Sequence, residues 1–369
     1  MIDDKILKNE ERAVFSLRSL YKRYGYLPFK MSKFEEYDLY LKNKDFLVSD
    51  RVITFNDVSG KLLALKPDVT LSIIKNTRDL PGVKQKVYYN ENVYRVSSGT
   101  GHFGEIMQAG LECIGDIDIT DVFEVCYLAA ESLNAVSESF VLDVSHMGVL
   151  SSILDEVSDD TDFRRSAIKF IGEKNKHELR SLCESFGLSD SVGLLTSLVD
   201  MYGCPDKVLS DLKGSLPERV LSTSAFTELS ELVRLLSKMP LYGKIRLDFS
   251  VVNDMNYYNG VLLRGFLQGI SEGVLSGGEY DSLMKRVGRE SRAVGFALYL
   301  DLLEAIDSAR CESDVDVLIV YDGSVSSDAI VAKKSEYLSE GLSVQAQRTV
   351  PDNVRYGRVV YLSGEDKND

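Results

Sequence analysis

Four short stretches of this chain carry side chains that could do chemistry together. "LSGGEYDSLM" (275–284) sets the glycine pair Gly277 and Gly278 just ahead of Tyr280 and Asp281, with Glu279 between. "NDMNYYNGV" (253–261) carries adjacent tyrosines, Tyr257 and Tyr258. "MQAGLE" (107–112) places Gln108 and Glu112 four residues apart, which on a strand points both to one face. "KPDVT" (66–70) offers Asp68 and Thr70. Small residues beside aromatics and carboxylates could line a pocket for a small polar molecule. Each stretch alone also reads as ordinary structure. "SGGEY" makes a turn, a Tyr-Tyr pair packs one ring and exposes the other, "KPDVT" starts a helix, and "MQAGLE" is a strand running into a turn.

The elements that must position these residues follow from periodicity. Residues 6–24 show apolar side chains at helical spacing. Residues 51–65 read as a hairpin around Asn56-Asp57 and Ser59-Gly60. Pro67 and Asp68 open a short helix whose first turn includes Thr70. "QKVYYNENVYRV" and "EIMQAGLECIG" read as strands, and "DITDVFEVCYLAAESLNAV" as a capped helix. From about 147 to 240 the chain is Leu- and Ser-rich with helical spacing throughout, a helical insertion. Strand patterns return at "KIRLDFSVV", "GVLLRGFLQGI" and "GVLSGGEYDSL", and "RAVGFALYLDLLEAIDSA" reads as a long apolar helix. A strand–helix–strand–strand module fills 313–369. This order, without regular βαβ alternation, predicts an α+β fold with an antiparallel sheet flanked by helices, a core over 1–312 and a small C-terminal α/β module.

Composition narrows the function. The 369 residues carry a formal charge of −14, which argues against tRNA or DNA as the principal partner, since gripping a phosphate backbone calls for a basic face. There is no apolar run long enough to span a membrane. The start "MIDDKILKNEERAVF" is not a signal peptide, so a cytoplasmic protein is expected. Five scattered cysteines (Cys113, Cys126, Cys183, Cys204 and Cys311), no CxxC pair and three histidines suggest neither a disulfide framework nor a zinc site, and no cofactor is expected.

Taken together and in this order, the motifs resemble the catalytic core of class II histidyl-tRNA synthetases. "FNDVSGKLLALKPDVT" is similar to that family's hairpin and the acidic-Thr segment after it. "VYYNENVYRVSSGTGHFGEIMQAGLECIG" is similar to its motif 2, "NDMNYYNGV" to its "RGLDYYT" segment, "LSGGEYDSLM" to its "GGRYDGL" segment, and "AVGFALYLDLL" to its motif 3. The resemblance runs from about 6 to 310, and the last module is similar to a shortened anticodon-binding domain. It implies an amino-acid pocket built from Asp68, Thr70, Arg95, Gln108, Glu112, Tyr257, Tyr258, Gly277, Gly278 and Tyr280, residue types that suit free histidine.

The adenylation half of the site departs from the family. The "RGLDYY" arginine falls on Asn253, the motif 3 arginine on Leu302, and the carboxylate two residues after Arg95 on Ser97. Losing one charge-stabilising arginine costs on the order of 10²–10³ in rate, so no catalytic residue and no tRNA charging are expected. A histidine pocket without adenylation machinery is similar to the synthetase-like regulatory subunits of ATP phosphoribosyltransferase, in the first step of histidine biosynthesis. That resemblance implies a short-form catalytic subunit as partner, histidine as ligand and a homodimer built through residues 6–48. A diverged histidine–tRNA ligase and a free-standing histidine-binding protein are the alternatives. Arg95 could instead pair with a carboxylate such as Glu105 or Glu112, and His102 is given no catalytic role.

Overall fold

The structure is a computed structural model and describes residues 7–43, 51–96, 101–252, 258–304 and 313–363. By internal contacts the chain divides into two compact units, residues 1–304 and 305–369.

The first unit opens with α1 (Asn9–Arg23), β1 (Leu27–Pro28), β2 (Phe34–Glu36), α2 (Tyr37–Lys42), β3 (Thr54–Asn56), β4 (Leu62–Leu65) and α3 (Val69–Asn76). Two long strands follow, β5 (Lys84–Val96) and β6 (Phe103–Gly115), then α4 (Ile119–Val136) and β7 (Phe140–His146). The helical stretch holds α5 (Met147–Val157), α6 (Thr161–Gly172), α7 (Lys176–Ser185), α8 (Val192–Asp200), the two-residue β8 (Tyr202–Gly203), α9 (Pro205–Ser215), α10 (Glu218–Leu221) and α11 (Ser224–Leu236). The unit ends with β9 (Ile245–Asp248), β10 (Val261–Leu267), β11 (Leu275–Glu279), α12 (Asp281–Arg286) and β12 (Arg292–Tyr299). No helix among the described residues is long and apolar enough to cross a membrane.

Nine strands form one sheet in the order β1-β5-β6-β12-β11-β10-β7-β9-β8. All pairings are antiparallel except β1 with β5 and β7 with β9, so the expected antiparallel sheet is mixed at both ends. β2, β4 and β3 make a separate small antiparallel sheet. The α+β class agrees with the sequence reading.

Register fixes which side chains share a face. Val87, Glu112, Gly295, Gly278 and Leu262 stand side by side on five neighbouring strands, and Glu91, Gln108 and Tyr299 form a parallel row. This is the front face, covered by α3. On the back, α4 packs across β7, β10, β11 and β12. Gly265 is bare there because a Cβ would strike the Leu133 side chain of α4. α1 lies beside α4, and their contact includes a buried hydrogen bond between the Tyr21 hydroxyl and Ser132 Oγ of 3.0 Å. α4 starts where expected because Asp118 accepts the Thr120 amide at 2.8 Å, a side-chain cap.

One expectation fails here. Residues 292–299 are strand, not the start of a long helix, and a 3₁₀ turn at Asp301–Leu303 follows. The apolar run at 293–298 is continuous because β12 is central and buried on both faces, which erases the alternation that marks an exposed strand. The apolar side chains of the N-terminal segment divide. Tyr21, Tyr26 and Tyr40 are buried within the chain itself, whereas Phe15, Leu27, Phe34 and Leu41 are exposed.

The second unit contains β13 (Val315–Tyr321), α13 (Ser327–Ser339), β14 (Val344–Gln347) and β15 (Tyr356–Leu362). Its three strands pair in parallel in the order β14-β13-β15. Val317, Ile319 and Tyr337 form its small core.

Candidate functional site

The front face gathers most of the residues singled out by sequence. Glu112, on β6, is 2% exposed. Its Oε1 accepts from the Thr70 hydroxyl at 3.1 Å and its Oε2 from the Tyr280 hydroxyl at 2.7 Å. Thr70 arrives on α3. That helix begins here because Asp68 caps it, Oδ1 accepting the Leu71 amide at 2.9 Å. Tyr280 sits at the junction of β11 and α12, so strand end, turn and helix start place its ring over the sheet. Tyr280, Val69, Leu71, Ile73, Leu283 and Met284 share one apolar cluster, with Tyr258 packed against it.

The glycines of this face are steric requirements. A Cβ on Gly295 would overlap the Glu112 carboxylate. A Cβ on Gly278 would lie 2.9 Å from the Tyr258 ring and press on the Val261 carbonyl, so the ring lies against bare backbone. Gly277 is bare for another reason, since a Cβ there would press on Phe296 on the back face. "SGGEY" is therefore strand running into helix rather than a turn between strands.

Burial sets the electrostatics. It pushes the Glu112 carboxyl up to about 8, against the pull of the Tyr280 and Thr70 hydroxyls, and nearby Asp68 raises it further. Tyr89, also buried, is held far above the ordinary phenol range by the same desolvation, with Glu112 and Asp68 adding to it. Burial thus favours the neutral acid form of Glu112 near neutral pH. A ligand bringing a positive group or a strong N–H donor would restore its charge.

Arg95 answers the question left open by sequence. Its Nε donates to the Pro67 carbonyl at 2.7 Å and its Nη2 lies 3.6 Å from Asp68 Oδ2, so its carboxylate neighbour is Asp68, not Glu105 or Glu112. Glu105 instead accepts from Tyr94 at 3.1 Å. Gln108 is buried, two rows from Glu112 on the same face, with Tyr89, Gly110 and Ala297 in the row between. His102 is exposed and Cys113 is buried on the opposite face. Leu302 stands half-buried in the 3₁₀ turn. Tyr257, Asn253 and Ser97 lie outside the described residues.

Sequence reasoning passed over one ion pair on this face. Lys66 has no exposed surface, and its Nζ bonds Glu91 Oε2 at 2.9 Å, in the row shared with Gln108 and Tyr299. A lysine between "LAL" and "PD" was the available signal, because a charge flanked by buried positions needs a partner. Gly295 was missed too, being one small residue in an apolar run.

This mixed sheet, with its long β5–β6 pair, front-face carboxylate and overlying Tyr280, defines a class II synthetase-like protein. A family model described as Histidyl-tRNA synthetase matches residues 3–303, and the chain belongs to that family. Among curated proteins, it is 25% identical over 372 residues to an ATP phosphoribosyltransferase regulatory subunit from Ruminiclostridium cellulolyticum, covering 95% of this chain and 88% of that one. A solved ATP phosphoribosyltransferase regulatory subunit/histidyl-tRNA synthetase from Bacillus halodurans superposes with a TM-score of 0.73 at 23% identity, covering 99% of this chain and 97% of the other. A chain from an ATP phosphoribosyltransferase complex of Thermotoga maritima superposes with a TM-score of 0.62 at 23% identity, covering 79% and 97% respectively.

Proposed function

We propose that this chain is a regulatory subunit of ATP phosphoribosyltransferase that acts in the first step of histidine biosynthesis and charges no tRNA. It binds a short-form catalytic subunit and makes that enzyme active and histidine-sensitive. The observation that carries the reading is the division of the site. The amino-acid half is assembled around Glu112, Thr70 and Tyr280, while an aliphatic side chain, Leu302, occupies the position where the family resemblance puts an ATP-clamping arginine. The name carried by the curated relative, matched over nearly the whole chain, supports the same division of labour.

Free histidine is the ligand. Glu112 takes its ammonium or imidazole N–H, Asp68 stands by with Arg95, and Tyr258 and Tyr280 wall the space above Gly278 and Gly295. The working form is a homodimer at least. Its interface uses the exposed apolar side chains of the N-terminal segment, Phe15, Leu27, Phe34 and Leu41, which would otherwise face water.

The test is co-expression with a short-form transferase, followed by co-purification and an assay with and without histidine. A stable complex, active only when both chains are present and inhibited by histidine, is expected. A transferase equally active alone, with no complex formed, would remove the proposal.

A further inference from the structure

β11 sends Gly278 toward the pocket and its neighbour Glu279 to the back, where a second cluster lies. Glu279 is fully buried. Its Oε1 accepts from Arg292 Nη2 at 2.5 Å and its Oε2 from the Val261 amide at 2.8 Å. Arg292 Nη2 also reaches Glu228 Oε1 at 3.2 Å, and its Nε reaches Asp281 Oδ2 at 3.1 Å. Glu228 belongs to α11, in the helical stretch after His146. Its Oε2 lies 3.8 Å from Nε2 of the buried His146, whose Nδ1 accepts the Val149 amide at 3.4 Å at the start of α5. His146, Glu228 and Glu279 are close enough for a divalent cation to bridge them. The guanidinium of Arg292 already bonds both carboxylates, however, so the resident cation of this cluster is Arg292.

The same cluster holds the segment that faces the ligand. Residues 258–261 are tied down by the Val261 amide on Glu279 Oε2, by the Asn259 amide on the Glu279 carbonyl at 3.2 Å, and by Asn259 Oδ1 accepting the Ser282 amide at 3.2 Å. The Gly260 carbonyl accepts the Met147 amide at 2.8 Å, the first residue of α5. A Cβ on Gly260 would overlap the Glu279 carboxylate, so backbone and acid are fitted to each other. At the other end of the segment, the Tyr258 ring rests on Gly278.

We infer that Glu279 is a positioning residue for the ligand-facing segment 258–261, and that the Glu279–Arg292–Glu228 bridge ties this segment to the helices that begin at Met147. Loading of the pocket is then felt in α5 and α11, a consequence that rests on the histidine reading above. Displacing Tyr258 by a ligand moves Gly260 and Val261, whose bonds lead directly to the α5 N-terminus and, through two ion pairs, to α11.

Hydrogen exchange on the full chain tests this, comparing the wild type with Glu228→Gln, Arg292→Lys and, as a control on the exposed side of α11, Glu231→Gln. Glu228→Gln and Arg292→Lys should each speed exchange several-fold in peptides covering 258–263 and the start of α5, and Glu231→Gln should not. Histidine should slow exchange in α5 and α11 of the wild type but not of Glu228→Gln, with affinity falling up to about tenfold, or about 1.4 kcal/mol. A change in melting temperature with exchange at 258–263 left as in the wild type would mean the cluster is merely structural and would overturn the inference. So would equal histidine affinity in the wild type and both bridge variants. If the wild type binds no histidine, the pocket reading fails by itself, and exchange at 258–263 in the empty protein still decides whether the bridge holds the segment.

Discussion

Glu112 gives the sharpest quantitative expectation. Burial holds its carboxyl at about 8, so the empty protein carries it protonated at neutral pH. Binding through a charge-assisted bond to the ammonium or imidazole N–H of histidine requires the ionised form. About a tenth of the molecules are ionised at pH 7 and half at pH 8, so affinity should rise about fivefold between those pH values. Most of a proton should be released per histidine bound at pH 7. Isothermal titration at pH 6.5, 7 and 8, in two buffers of different ionisation enthalpy, measures both. Glu112→Gln keeps the shape and a partner for Tyr280 and Thr70 but cannot ionise. It forfeits a charge-assisted bond of about 1.5–3 kcal/mol and avoids an ionisation cost of about 1.4 kcal/mol at pH 7. Affinity should therefore fall modestly at pH 7, by up to about tenfold, and more at pH 8, with the pH dependence abolished. Affinity that is flat across this window in the wild type, with no proton released, would refute the assignment of Glu112 as the ligand's charged partner.

Gly295→Ala should drive the Glu112 carboxylate from its place, abolish the thermal shift given by histidine, and cost about 1–3 kcal/mol in denaturant unfolding through overpacking. The empty protein should lose stability as pH rises from about 5 to 8. Glu112, raised by burial to about 8, favours the fold while protonated and withdraws that contribution as it ionises; melting curves of Glu112→Gln should fall less steeply. Histidine-dependent pyrophosphate exchange should match a heat-killed control in the wild type, in Asn253→Arg and in Leu302→Arg, because residues that act as a unit are not restored singly. Light scattering at micromolar concentration should give twice the 41.2 kDa chain mass, and Phe34→Glu should lower it.

The sequence disclosed the side chains gathered around Glu112 better than what holds them. Asp68 capping α3, Thr70 in its first turn, and Gln108 with Glu112 on one face of β6 all follow from local rules: a capping residue, a turn of helix, a period of two. Tyr280 was also found, because a motif marks it. Gly295 and the 292–299 strand escaped, since a strand buried on both faces shows no alternation and one glycine in an apolar run carries no flag. Arg95 was given the wrong neighbours because Asp68 is far away in sequence, and only the docking of α3 brings the two together. The Glu279–Arg292–Glu228 cluster depends on three elements meeting behind the sheet, which no window of sequence displays. Tyr21, Tyr26 and Tyr40, within the segment 6–48 expected to build a homodimer, lie in the chain's own interior, which composition cannot distinguish from a surface shared with a second copy.

The glycines at 278 and 295 leave bare main chain, paired in the sheet ladder, as the floor on which the Tyr258 ring and the Glu112 carboxylate rest. Such a floor offers flatness and little chemical preference. On the proposed reading, discrimination among ligands falls to the side chains above that floor, Thr70 on α3, Glu112 on β6, Tyr258 and Tyr280. Their side chains stand off the backbone ladder, so strand pairing itself does not specify which small molecule the protein would recognise. A site arranged this way can change its chemical vocation, losing one activity while keeping an old ligand, at little cost to the scaffold.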